Sequence, residues 1–132
     1  MNASLDHVSI NVSNAQVSFQ FYRKFLGFLG YYIVKESVDS VGFRKDGSDI
    51  WVNETHPDHK KEGFHRKRTG LNHLAFKVDT REAVDQFHKD FLQAQGIPTL
   101  YNTPKPFPEY TPNYYAVFFE DPDRIKLEVL FR

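Results

Sequence analysis

Two histidines stand at matching places in a chain that repeats itself. Laying Leu5–Leu26 over Leu71–Leu92, an offset of 66 in 132 residues, pairs His7 with His73. The same overlay pairs Leu5 with Leu71, Val12 with Val78, Gln20 with Gln86, Phe21 with Phe87, Phe25 with Phe91 and Leu26 with Leu92. Each copy opens on an alternating stretch, in which Val8, Ile10 and Val12, or Leu74, Phe76 and Val78, point to one side. His7, Ser9 and Asn11, and in the second copy His73, Ala75 and Lys77, then point to the other. In the last alternating stretch Leu127, Val129 and Phe131 face the apolar side, which sends Glu128 to the side of the histidines. Two imidazoles and one carboxylate are the ligand set of a facial site that holds a divalent ion and keeps positions open for substrate. Open positions imply catalysis rather than a structural role. With no cysteine in the chain, His, Asp and Glu are the only strong ligands available. His56, His59 and His65 fall in a charged stretch and His88 on a helix, and none is assigned a role.

The elements that must position these groups are legible in each copy. Ser13-Asn14 follows the first strand as a helix-start signal, and Asp79-Thr80 with Glu82 resembles a capping box after the second. Val17, Phe21 and Phe25, matched by Val84, Phe87 and Phe91, give each helix an apolar stripe, and Gly27 and Gly96 are its expected stops. Strands are expected over about Tyr31–Ser37, Ser40–Lys45 and Asp49–Glu54, then Thr99–Tyr101, Tyr114–Glu120 and Ile125–Phe131. The unit is strand, helix, three strands, written twice: module 1 about 1–56, a linker about 57–69 and module 2 about 70–132, in one domain. Between Asn102 and Asn113, Pro104, Pro106, Pro108 and Pro112 make a stiff loop expected at an edge or at the mouth of a groove.

Composition excludes several partners. Seventeen basic residues balance seventeen acidic ones, leaving no global field to favour nucleic acid or a membrane surface. The basic run from His59 to Arg68 reads as a solvated linker. An opening of Met-Asn-Ala-Ser-Leu-Asp has no basic start followed by an apolar run, so a soluble cytoplasmic protein is expected.

The Leu-Asp-His-Val start, the segment Gly70-Leu-Asn-His73-Leu-Ala-Phe and the ending Tyr114-Tyr-Ala-Val-Phe-Phe-Glu-Asp-Pro-Asp-Arg-Ile-Lys-Leu-Glu128-Val resemble the vicinal oxygen chelate superfamily, also called the glyoxalase/bleomycin resistance/dioxygenase family. The resemblance implies an α+β fold of two tandem βαβββ modules forming a curved mixed β-sheet around a metal-binding cleft, commonly in a homodimer whose modules pair within or between chains. It implies one divalent ion, Fe, Mn, Ni or Zn, held by His7, His73 and Glu128, and a small substrate that chelates it through adjacent oxygens in lyase, isomerase or dioxygenase chemistry. Glyoxalase I adds a carboxylate from the first module's last strand. Here the cleft positions on that strand are Asp49, Trp51 and Asn53, and Glu54 has the wrong parity, so three ligands look more like extradiol dioxygenases and fosfomycin-resistance enzymes. Arg124 stands where the family's Asp-Pro-Asp turn normally continues with Gly, which predicts a strained left-handed residue. Trp51, Asn53, Ser9 and Phe118 are expected to shape a substrate pocket, with Glu128, Tyr114 and Tyr101 as catalytic candidates, the tyrosines as hydrogen-bond or proton donors. The rival is a metal-free protein that sequesters a drug or metabolite, as bleomycin-resistance members of the family do.

Overall fold

Alternation and capping resolve into eight strands and two helices in a computed structural model that describes residues Met1–Arg132. The chain divides into two units, Met1–Gly63 and Phe64–Arg132. The basic run is split between them: Pro57–Glu62 forms a 3-10 turn at the end of the first unit.

The first unit runs β1 (His7–Val12), α1 (Ala15–Phe28), β2 (Tyr32–Glu36), β3 (Ser40–Lys45) and β4 (Ser48–Glu54). Its sheet has the order β1-β4-β3-β2, with β1 parallel to β4 and the other pairs antiparallel. Asn14 caps α1 by accepting from the Val17 amide at 3.2 Å, and Glu54 accepts from the Ala15 amide at 3.4 Å. The wrong-parity carboxylate thus serves the helix start. The stop is Gly30 rather than Gly27: its φ of 88° is the left-handed step, and the Gly30 and Tyr31 amides donate back to the Gly27 and Leu26 carbonyls. The buried face also differs from the expected stripe. Val17 is exposed and Phe21 half-buried, whereas Ala15, Ser18, Phe19, Tyr22, Phe25 and Leu26 are buried, a wider 3-4-3 spacing that matched pairs alone did not reveal.

The second unit runs β5 (His73–Lys77), α2 (Arg81–Phe87) continued by a π-helical stretch (His88–Gln93), β6 (Thr99–Pro106), β7 (Tyr115–Glu120) and β8 (Lys126–Phe131). Its sheet order is β5-β8-β7-β6, again one parallel pair and two antiparallel ones. Both units are therefore βαβββ, and the chain is α+β. Thr80, not Asp79, caps α2, its hydroxyl accepting from the Ala83 amide at 3.0 Å. Val84, Phe87 and Phe91 are buried as the stripe predicts, Leu92 is buried beside them, and Gly96, at φ 66°, is the stop. Each such side chain contributes about 1.5–3 kcal/mol on burial.

One expectation fails in an informative way. Strand β6 reaches Pro106, well into the proline-rich stretch, because it lies at the sheet edge where a missing N–H costs no ladder bond. It is broken in the middle by Tyr101 and Asn102, both at positive φ (59° and 53°), where the register with β7 shifts. Arg124 is also left-handed, at 66°, as its turn position predicts. No helix is long and apolar enough to cross a membrane.

Candidate functional site

The second unit gathers the chemistry. β8 is the centre: its partner on β5 opposite Glu128 is Ala75, and its partner on β7 is Phe118. Glu128 points to the outward side as alternation requires, yet its carboxylate is 1% exposed because aromatic side chains close over it. The Tyr114 hydroxyl donates to Glu128 Oε1 at 2.6 Å, and His73 Nε2 lies 3.3 Å from Oε2. His73 Nδ1 is 2.7 Å from Asn72 Oδ1. Since that oxygen only accepts, Nδ1 carries the hydrogen, and Nε2 is left to face the carboxylate. Burial first, then the bond to Glu128, pushes the Tyr114 hydroxyl well above its ordinary value, so it stays a proton-bearing donor throughout the physiological range.

A cavity of about 400 Å³ opens over this pair. Phe107, Tyr110 and Tyr114 form one wall. Phe107 and Tyr110 are stacked with centroids 5.4 Å apart, and Tyr114 sits edge-on to Tyr110 at 5.2 Å. Phe118 packs edge-on against Phe107 at 5.6 Å and carries Tyr101 edge-on at 5.5 Å, and Lys126 holds its ammonium over the Tyr101 and Phe118 rings. The left-handed pair Tyr101-Asn102 aims the Tyr101 ring at the cavity, a strained arrangement of the kind that clusters at binding sites.

The first unit builds the corresponding rows from different residues. His7, Asp49 and Arg44 are neighbours across β1, β4 and β3. His7 Nδ1 is 2.7 Å from Asp6 Oδ2, the residue equivalent to Asn72, so each histidine is oriented by the side chain just before it. Asp49 is locked by Arg44 through two bonds of 2.7 and 2.8 Å, which hold its carboxyl below the ordinary range. In the next row Ser9, Trp51 and Gly42 replace Ala75, Glu128 and Phe118. Trp51 lies flat on Gly42, where a Cβ would come within 2.8 Å of the indole. Asn53 donates to Ser9 Oγ at 2.8 Å and accepts from the Ser40 hydroxyl at 2.8 Å. No carboxylate stands at the Trp51 position.

Of the residues singled out in the sequence, His73, Glu128, Tyr114, Tyr101 and Phe118 meet in the second unit's cavity. His7, Ser9, Trp51 and Asn53 lie on the first unit's sheet. Within neither unit do three His, Asp or Glu side chains gather into a group able to hold an ion. Ligand atoms about 2.1 Å from a divalent ion stand roughly 3–3.4 Å from each other, so the 3.3 Å between His73 Nε2 and Glu128 Oε2 fits two such ligands. Sequence reasoning missed Lys126, Phe107 and Tyr110. Lys126 had a signal, since it shares a face with Glu128 two residues away, whereas Phe107 and Tyr110 lie in a loop with no periodicity to read.

A model of the glyoxalase/bleomycin resistance protein/dioxygenase superfamily matches residues 4–129. The chain belongs to that superfamily. Among its relatives is the uncharacterised protein YqjT of Bacillus subtilis strain 168, 35% identical over 126 residues that cover 96% of this chain and 97% of YqjT. A crystal structure of a Bacillus halodurans protein, provisionally assigned as a glyoxalase, superposes with a TM-score of 0.88 at 40% identity, covering 97% of this chain and 95% of that one. The fosfomycin resistance protein FosX from Listeria monocytogenes shares the fold, with a TM-score of 0.71 at 18% identity over 100% of this chain and 95% of FosX. Tandem βαβββ units are thus the superfamily's architecture in this glyoxalase-like chain.

Proposed function

We propose that the protein is a metal-dependent enzyme acting on a small molecule with two adjacent oxygens, by lyase, isomerase or dioxygenase chemistry. His73 and Glu128, with His7 from the first unit, would hold one divalent ion, Fe, Mn, Ni or Zn. The observation that carries this reading is the His73–Glu128 pair at the base of an aromatic cavity, with the histidine's other nitrogen tied to Asn72 so that Nε2 faces the carboxylate. His7 supports it, being anchored in the same way by Asp6. When bound, such an ion supplies Lewis acidity toward substrate oxygens. The chain's own groups do the rest. Tyr114 fixes one oxygen of Glu128 and keeps its proton available at the cavity wall, the rings of Phe107, Tyr110 and Phe118 give the cavity apolar walls, and Tyr101 stands half-exposed at the rim.

One observation favours the rival, a metal-free sequestering protein: the Tyr114 hydroxyl already donates to Oε1 of Glu128, an oxygen a metal ion would otherwise take. Elemental analysis of protein purified without chelator separates the two, with His73→Ala alongside and thermal shifts on adding Fe, Mn, Ni or Zn. The enzyme reading expects stoichiometric metal in the wild type and its loss in the variant. No metal, with none of the four ions binding or stabilising the protein, refutes it in favour of sequestration. Where metal is found, oxygen uptake with catechols against turnover of a hemithioacetal separates dioxygenase from glyoxalase-like chemistry.

A further inference from the structure

Lys126 is the cation the cavity contains, and its surroundings keep it unneutralised. It is the β5–β8 partner of His73 and lies across from Glu120 on β7, so a Lys126–Glu120 ion pair is the arrangement that register alone would produce. That pair does not form. Arg66 takes Glu120 Oε1 at 2.5 Å, and the Arg124 Nε approaches Oε2 at 3.6 Å. Arg124 reaches there from a left-handed residue, a conformation retained in spite of its strain. The Lys126 ammonium therefore has no carboxylate within 4 Å, and it lies 5.7 Å from the Tyr101 centroid and 5.6 Å from that of Phe118, beside the cavity. The first unit shows the opposite solution at the same rows: the residue matching Lys126 is Asp49, and Arg44 pairs with it directly. An ammonium held by aromatic faces, with its natural counter-ion diverted to two arginines, is placed to receive an anion from outside.

We propose that Lys126 is a specificity-determining residue that binds an anionic oxygen group, a carboxylate or a phosphonate, on a small unsaturated or aromatic ligand of this cavity. The inference rests on the cavity being the ligand site and narrows the substrate class to organic anions. The anionic end lies toward Lys126 and the rim at Tyr101, and the planar body lies within the aromatic lining that Tyr101, Tyr110 and Tyr114 give the cavity. Arg66 is a positioning residue, acting by keeping Glu120 away from Lys126.

Isothermal titration with benzoate, phenylphosphonate and neutral benzyl alcohol at fixed ionic strength tests this on the full chain as purified. The wild type should bind at least one of the two anions ten times or more tighter than benzyl alcohol, and the tighter of them names the group. Lys126→Met should reduce that preference to less than twofold, Lys126→Arg should keep most of it, and Arg66→Met should weaken it several-fold by releasing Glu120. An unfolding midpoint close to wild type in Lys126→Met shows that the change is local. No anion preference in the wild type, or one that survives Lys126→Met, overturns the proposal. A Lys126-dependent preference in a protein that binds no metal would sink the enzyme reading and leave this one standing. Stoichiometric metal without such a preference would do the reverse.

Discussion

Tyr114→Phe removes one hydroxyl and leaves the ring in place. That hydroxyl donates at 2.6 Å to a carboxylate 1% exposed, and a hydrogen bond to a charged group contributes about 1.5–3 kcal/mol net. The cavity beside it admits water, which can replace part of the lost donor, so the expected cost is about 1–2 kcal/mol, toward the low end of that range. In a chain of this size about 1 kcal/mol moves the unfolding midpoint by roughly 3–5 °C, giving a drop of about 3–10 °C. Tyr115→Phe is the internal control. Its hydroxyl donates to Asp85 at a nearly equal 2.7 Å, and burial with that bond pushes it up to about 12, but Asp85 is exposed, and the loss should be below about 1 kcal/mol. Glu128→Gln closes a double-mutant cycle with Tyr114→Phe, in which the pair should cost about 1 kcal/mol less than the sum of the singles. Urea and thermal unfolding of chelator-treated protein near neutral pH, followed by circular dichroism, supplies all four values. A Tyr114→Phe cost no larger than that of Tyr115→Phe, or an additive cycle, would refute the claim that Tyr114 holds Glu128.

Two further predictions address the first unit. Gly42→Ala places a methyl 2.8 Å from the Trp51 ring and should cost about 1–3 kcal/mol by overpacking, with a shift in the emission of the chain's single tryptophan. Trp51→Leu in the same protein should recover part of the loss, and a Gly42→Ala variant as stable as wild type with unchanged emission would contradict the packing. Asp49 is held below its ordinary value of 3.8 by Arg44, so the stability it contributes is present above about pH 4 and lost as pH falls through the lower folded value. Asp49→Asn should therefore flatten the acid limb of stability against pH between about pH 5 and 2. Parallel curves for the two proteins would count against the Arg44–Asp49 lock.

Much of this was legible in the chain because β-strands alternate strictly. Periodicity puts His7 and His73 on outward faces, where both are exposed, and puts Glu128 on the face of His73, where it lies beside that histidine but buried under Tyr114. The repeat predicted two βαβββ units, and both form. Helix faces were less legible: three matched apolar residues defined a stripe in α2, but in α1 the buried set rotated toward Phe19 and Tyr22 because the sheet, not the repeat, selects which face it covers. Gly30 rather than Gly27 became the stop for a similar reason, since the helix end is set by where the left-handed step satisfies free carbonyls.

The sequence by itself determined the parity of residues in the unbroken strands, such as β1, β4, β5 and β8, and hence which side groups share a face, because that period is local and independent of what packs nearby. It also determined that divergence would place Glu128 in one module and Trp51 in the other. Only the tertiary structure decided which neighbours on a face actually pair. Glu120 turns from Lys126 to Arg66 and Arg124, and Tyr114 and Asn72 fix Glu128 and His73. Such choices depend on charges brought together from distant parts of the chain, with Arg66 and Glu120 54 residues apart, and local periodicity carries no information about them.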